Sequence, residues 1–327
     1  SNLKAPITAL PSGHVALHAD VFCLDNSKTA KEGVSHTYHG YDGYAPIGAY
    51  LGEEGWCVGL ELRPGEQHSQ NDFGFFLDRV LPRAKALAGS RRLLVTLDGG
   101  HDAAANREQL DGENVDYLIK WNPRGEDPQT WSARAAREDR FVTVRADKRV
   151  ATFDETVAWT FEQRTYTARR VVRLTERTAD RHGQPLLFPA LELEGWWTNL
   201  DGEAFDPDTL IALYQRRGTS EQYHSEFKTD LDLERLPSGK FDTNALVLAL
   251  AAIAYNILRY IGQDTLIGPD APIRKAVHRR RLRTVLQEMI YKAARLVRHG
   301  RRYVLRFSRG DPGYMALARC YTRLVGA

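Results

Sequence analysis

The chain has 327 residues, 43% of them hydrophobic and 27% charged, with a formal net charge of +3. That length can bury a substantial core, so it excludes a disordered or fibrous protein and predicts one large domain with an insertion. Three cysteines (Cys23, Cys57, Cys320) lack metal-like spacing, which excludes a structural zinc and fits a reducing, cytoplasmic setting. In chain order, residues 14–22 alternate apolar and other side chains and predict a strand that ends near Asp20. Asp25, in Asp25-Asn26-Ser27, is the alternative acid at this strand end, although that tripeptide is better turn or cap chemistry. Residues 31–46 read as a glycine-rich loop, followed by two antiparallel strands around 47–52 and 56–62. Residues 72–88 have a helical pattern, with Pro82 expected to begin or kink the helix. Residues 91–98 form a short apolar run that stops at Asp98 before Gly99-Gly100, a common way to aim an acid into a cleft.

More than a hundred residues separate Asp98 from Glu221, too many for a plain connection. Segments 115–121, 141–144, 157–161, 171–174 and 186–193 predict a β-rich insertion. Beyond it, Tyr214, Arg217, Glu221 and Lys228 stand at offsets of 3, 7 and 14. On one α-helix these four fall within roughly a 60° arc, with Leu213, Tyr223, Phe227 and Leu231 on the core side. Gly218-Thr219-Ser220 is a candidate break, with Thr219 as N-cap and Gln222 closing a capping box. Residues 245–261 are apolar but interrupted by Tyr255, Asn256 and Arg259, and read as a buried helix rather than a membrane span. No signal peptide is visible, and the Ser1-Asn2 start reads as a processing scar. Residues 271–327 hold 15 Lys and Arg against two acids, while the rest holds 30 against 40. The runs Arg279-Arg280-Arg281-x-Arg283 and Arg298-x-x-Arg301-Arg302 therefore predict a phosphate-binding surface. Leu282, Val285, Leu286, Met289, Ile290, Ala293 and Val297 predict the packed face of an amphipathic helix beneath it.

The Tyr214-x(2)-Arg217-x(3)-Glu221-x(6)-Lys228 spacing resembles the signature of one branch of DDE-type bacterial insertion-sequence transposases. The resemblance extends over 31–102, through Arg63-Pro64-Gly65-x-Gln67-His68 and Asp98-Gly99-Gly100-His101-Asp102, and on to Tyr255-Asn256. It implies an α/β, ribonuclease-H-like mixed sheet flanked by helices, with a β-rich insertion before the last catalytic helix and a helical basic C-terminal region. The expected divisions are a first core part over 1–105, an insertion over 106–205, a second core part over 206–265, and the basic region over 266–327.

By the same resemblance Asp20, Asp98 and Glu221 are the catalytic, metal-binding acids, and Tyr214, Arg217 and Lys228 hold phosphate at the DNA end. Related insertions contribute an aromatic that holds a flipped-out base, a role that suits Trp197 on general stacking grounds. Three carboxylates suit two Mg²⁺ or Mn²⁺ ions and in-line displacement at phosphorus without a covalent protein intermediate. The implied activity is endonucleolytic cleavage and strand transfer on double-stranded DNA, at terminal inverted repeats and target, by a dimer assembled on DNA and without a membrane. A ribonuclease-H-like nuclease that does not join strands, or a non-catalytic DNA-binding derivative, are the alternatives. Members of that family carry further N-terminal sequence for recognising the DNA end, whereas this chain begins almost at the first strand. A cytoplasmic, bacterial protein on the nucleoid is expected.

Overall fold

Residues 5–161, 163–308 and 310–325 are described by the structure, a computed structural model. The chain opens with β1 (Val15–Val21), then three short strands β2 (Leu24–Asp25), β3 (Ser35–His36) and β4 (Asp42–Tyr44), which form a small sheet of their own. β5 (Ile47–Leu51) and β6 (Trp56–Glu61) follow, then α1 (Phe73–Ala88), β7 (Leu93–Leu97), α2 (Ala104–Gly112) and β8 (Asp116–Lys120). β1, β7 and β8 run parallel, while β5 and β6 are antiparallel to their neighbours, in the order β6-β5-β1-β7-β8. This mixed five-stranded order is the ribonuclease-H-like arrangement.

Alternation along the strands decides what covers each face. Leu17, Ala19, Val95, Leu97 and Ile119 pack with Phe73, Phe76, Leu77 and Val80 of α1 in one core. Ala16, Leu94 and Leu118 belong to a second core on the opposite side. α1 continues through Pro82, so the helix does not begin there. The cost is confined to one Asp78 carbonyl that lacks its helical donor.

The insertion continues the central sheet. After α3 (Pro128–Arg137) come β9 (Val142–Arg145), β10 (Lys148–Phe161), β11 (Arg164–Ala179) and β12 (Pro185–Thr198). β12 pairs antiparallel with β8, giving one nine-stranded sheet that ends β8-β12-β11-β10-β9. The segment around 115–121, read from sequence as part of the insertion, thus includes a core strand parallel to β7.

The chain then enters α4 (Pro207–Gln215), a 3-10 turn over Arg216–Thr219, α5 (Ser220–Ser225) and a π-helical turn over Glu226–Asp230. α6 (Phe241–Thr265) lies against β6. There the Asn256 carboxamide accepts from Cys57 N at 2.9 Å and donates to Cys57 O at 2.8 Å. α6 is long and apolar enough to cross a membrane by length and composition. It is not the buried helix read from the sequence: Leu248, Tyr255 and Arg259 are buried, but Leu246, Leu250, Ile253 and Ile257 are exposed.

The C-terminal region also departs from its helical expectation. α7 (Leu282–Val285) and a π-helical turn over Leu286–Ile290 stop before Tyr291. A hairpin, β13 (Ala294–His299) and β14 (Arg302–Phe307), precedes α8 (Pro312–Val325). Val297, expected on the helix, instead sits opposite Val304 across the hairpin. Cross-strand pairing has overridden the apolar spacing that suggested a longer helix.

Candidate active site

Register brings the two strand-end acids together. His18 is opposite Thr96 on parallel β1 and β7, so Asp20 on β1 and Asp98, one extended residue past the end of β7, each follow that pair by two residues and fall on its face. The His18 Nδ1–Thr96 Oγ1 hydrogen bond marks that face directly. Asp98 caps a single 3-10 turn over Gly99–His101, with its carboxylate accepting from Gly100 N at 3.2 Å. A Cβ at Gly100 would come 3.0 Å from Ser69 Oγ and 3.3 Å from Asp98 Oδ1, so a larger residue there would press on the Asp98 carboxylate. The fully buried His101 places Nδ1 2.6 Å from Asp98 Oδ1, with its ring 4.2 Å from that of Phe73. Asp102, in the same motif, is structural: it accepts from Arg107 at 2.8 Å and from Asn122 N at 2.9 Å.

Asp25 serves a different purpose. Its carboxylate accepts from Ser27 N at 2.8 Å in a local turn, and the Ser27 hydroxyl, then that N–H, hold its pKa below the usual range.

Arg217 reaches the acids from the 3-10 turn after α4. Its Nη2 is 2.6 Å from Asp20 Oδ2, yet Nε and Nη2 are buried without a well-aligned acceptor. Burial pushes the Asp20 carboxyl up to about 6; Arg217 opposes the rise and the Asp98 charge adds to it. Burial also acts to raise Asp98, but the His101 hydrogen bond, with His101 and Arg217 as charges, carries it below the ordinary value. Tyr214 donates to Leu97 O at 3.2 Å and stands edge-on to Trp196. It fastens α4 to the strand that ends at Asp98.

Glu221 lies in the first turn of α5 and is exposed. With Asp20, His224 and Lys228 it lines a cavity of about 450 Å³; Asp98 is not part of that lining. Lys228 is 3.3 Å from Glu234. Among the described residues, no three His, Cys, Asp or Glu side chains are gathered closely enough to hold a metal ion as they stand. Around Asp20 the nearest charged partner is the Arg217 guanidinium. The donor set itself, carboxylate oxygens with two of them at the ends of adjacent strands, suits a hard divalent cation.

The four signature residues do not share one regular helix. The backbone stays right-handed from Gln215 to Glu226 but tightens at Arg216–Thr219 and widens at Glu226–Asp230. Thr219 is itself helical and makes no cap; its Oγ1 donates back to Arg216 O at 3.1 Å. The expected capping box is therefore absent. Widened turns of this kind recur at functional sites.

Two further expectations meet the structure differently. Trp197 is only 7% exposed, with the Arg107 and Arg170 guanidinium groups 4.5 and 5.4 Å from its ring centroid. Its ring is packed inside the insertion and cannot stack on a base in this conformation. Within the Arg279–Arg283 run, Arg279 and Arg280 are turned inward, while Arg281 and Arg283 stay exposed beside Asp230. Arg279 bonds Glu226 at 2.9 Å, Arg280 bonds the Leu266 and Ile273 carbonyls, and Arg281 bonds Asp230. Missed by sequence reasoning were His101, Glu226 and His224. The His224 ring is stacked on Phe22 at 4.5 Å and held neutral, at about 3, by burial and then by Arg217 and Lys228. The His101 spacing from Asp98, three residues across two glycines, was the one available signal.

Residues 23–326 match the family described as transposase DDE domain group 1. The chain belongs to that family. The matched span of this DDE transposase family includes Asp98 and Glu221 and begins three residues after Asp20. No curated protein matches the chain. Among solved structures it is similar to a piggyBac transposase synaptic complex with hairpin DNA, at 9% identity and a TM-score of 0.40. The likeness covers 75% of this chain and 46% of that one, so the chain spans less than half the length of that transposase. The fold assignment rests on strand order and register.

Proposed function

We propose that this chain cleaves DNA at transposon ends and transfers the freed 3′ ends to target DNA. Asp20, Asp98 and Glu221 would hold two divalent ions, Mg²⁺ or Mn²⁺. Such ions, when bound, activate the attacking water or 3′-hydroxyl and stabilise the leaving oxygen. The observation that carries the reading is the pairing of Asp20 and Asp98 at the ends of adjacent parallel strands, with Arg217 against Asp20.

Two neighbouring carboxylates repel one another, and burial raises the cost. Arg217 offsets part of that repulsion, and its unaligned N–H groups offer a fork to a phosphate oxygen. Lys228 adds a point charge to the same cavity wall. Tyr214, committed to Leu97, positions Arg217 rather than binding phosphate itself.

Contact with the DNA backbone falls to the β13–β14 hairpin in place of the Arg279–Arg283 run. Arg295 and Arg306 face each other across it, as do His299 and Arg302. Among the described residues, Arg295, Arg302 and Arg306 make no ion pair with the protein. Like charges placed directly opposite are unfavourable without an anion, and a two-stranded ribbon fits the DNA major groove. Assembly of two copies on two DNA ends completes the proposal.

The test is a strand-transfer reaction with Mg²⁺ or Mn²⁺ and a pre-cut duplex of the element's own terminal repeat. Joined products that vanish in Asp98→Asn support the reading. Cleavage without joining would reduce it to a nuclease, and metal-dependent products from Asp98→Asn would overturn the site.

A further inference from the structure

α6 carries an exposed apolar face that no element covers among the described residues. Leu246, Leu250, Ile253 and Ile257 are 59%, 57%, 58% and 55% exposed, and Ala249 and Ala254 beside them are exposed too. No charged residue occurs from Thr243 through Leu258. Soluble proteins rarely leave a contiguous apolar strip of this kind open to water. We propose that this face of α6 pairs antiparallel with the same face of a second copy of the chain, forming a two-fold dimer before any DNA is bound.

The pattern itself selects that occupant. The large residues follow a 4-3-4 spacing, which is a d-a-d-a seam of a coiled coil. The face also reads the same in both directions about a point between Ala251 and Ala252. Antiparallel pairing on that point sets Leu246 opposite Ile257, Ala249 opposite Ala254 and Leu250 opposite Ile253 of the partner. Every large side chain then meets a large one, and the small ones meet where the backbones must approach. A two-fold contact requires such self-complementarity; a different protein as partner would not.

A lipid bilayer is a poorer fit. The opposite face of α6 is committed to its own domain through the Asn256–Cys57 bonds and through Arg259, whose guanidinium pairs with the buried Glu226. The helix could enter a membrane only by abandoning both.

Area sets the strength of the pairing. The exposed face from Leu246 to Ile257 is a strip about 18 Å long and about 10 Å wide, far below the ~800 Å² per partner of a standard interface. The dimer is therefore reversible, with a dissociation constant in the micromolar range. Its existence does not depend on the chemical reading of the cleft.

Sedimentation velocity without DNA tests the proposal. The 37.0 kDa chain is expected to shift from monomer to dimer between low micromolar and submillimolar concentration. L250E/I253E should remain monomeric at every concentration with an unchanged thermal melt, since both residues are exposed. A register test uses L250C and I253C chains, because the three native cysteines are buried. Mixed under mild oxidation they should cross-link in high yield, and either chain alone in low yield. The proposal is overturned by a wild-type chain that stays monomeric, by a dimer that persists in L250E/I253E, or by equal cross-linking in mixed and single samples. Binding of the monomer to phosphatidylcholine/phosphatidylglycerol vesicles, lost in L250E/I253E, would equally overturn it in favour of a membrane.

Discussion

Two assemblies of acids and arginines lie on either side of the segment from Tyr214 to Asp230, and they are compensated to opposite degrees. On the cleft side, Asp20 pairs with Arg217, whose charge also acts on Asp98, and Asp98 is held by His101 Nδ1 at 2.6 Å. On the far side, one carboxylate, Glu226, receives Arg259, Arg279 at 2.9 Å and the backbone N–H of Leu282 at 3.0 Å, with no exposure at all. Asp230, one turn on, receives Arg281 and the Arg283 backbone N–H. An acid surrounded by more positive charge than it carries is fixed in place and ties the C-terminal region to the signature segment. Two acids with one guanidinium and one histidine ring between them are less fully compensated than Glu226, which suits them to take a further cation. The same residue types thus make a clamp in one place and a receptive site in the other.

The largest expected effect tests the receptive side. Asp98→Asn should lower metal-dependent DNA cleavage by about 10³-fold or more, equivalent to ~4 kcal/mol on the barrier, with a thermal melt that falls only modestly as the ionic contact to His101 is lost. A variant that keeps its activity would remove the distinction. Next comes the clamp: Glu226→Gln leaves Arg259 and Arg279 without their counter-charge and should cost about 3–5 kcal/mol in urea denaturation. A loss below about 1 kcal/mol would show that the two assemblies do not differ.

The third effect is a pH dependence, and its sign follows from Asp20. Its carboxyl titrates at about 6 in the folded protein, against an ordinary 3.8. The folded chain therefore binds the extra proton, and this group makes stability fall as pH rises through that window. The fall should reach at most about 3 kcal/mol between about pH 4 and about pH 6, and Asp20→Asn should flatten it. Asp98, shifted downward, acts in the opposite sense: it adds stability above its unfolded pKa that is lost as pH falls through the folded one. A profile that climbs from about pH 4 to about pH 6 in the wild type but not in Asp20→Asn would contradict the Asp20 shift. The smallest effect is Arg281→Ala, where a half-exposed guanidinium is lost and Arg283 remains beside Asp230. That change should cost less than about 1 kcal/mol, and a larger cost would make the outer part of the clamp as stringent as Glu226.

Much of this arrangement could be read from sequence where it depends on neighbours in the chain. Asp98 was visible because an apolar run stops before two glycines, and the mixed sheet followed from strand order. What could not be read depends on partners far away in sequence. Nothing local distinguishes Arg279, whose acid is Glu226, from Arg295, which makes no ion pair among the described residues. Trp197 looked like a free aromatic until Arg107 and Arg170 were found against its ring. The exposed side of α6 was hidden for another reason: hydropathy reports that a residue avoids water, not whether its own fold provides the cover.

The contact between Asn256 and Cys57 has a consequence for handling the protein. β6 is the outermost strand at one end of the nine-stranded sheet, and an open strand there could recruit a strand from another molecule. By engaging both backbone groups of Cys57, the Asn256 carboxamide imitates one residue of a further strand and occupies that place. The opposite end closes differently, with the four-residue β9, too short to template a long partner. Loss of the carboxamide would then register first as filament growth or clouding of a concentrated solution, well before any change in the cleft.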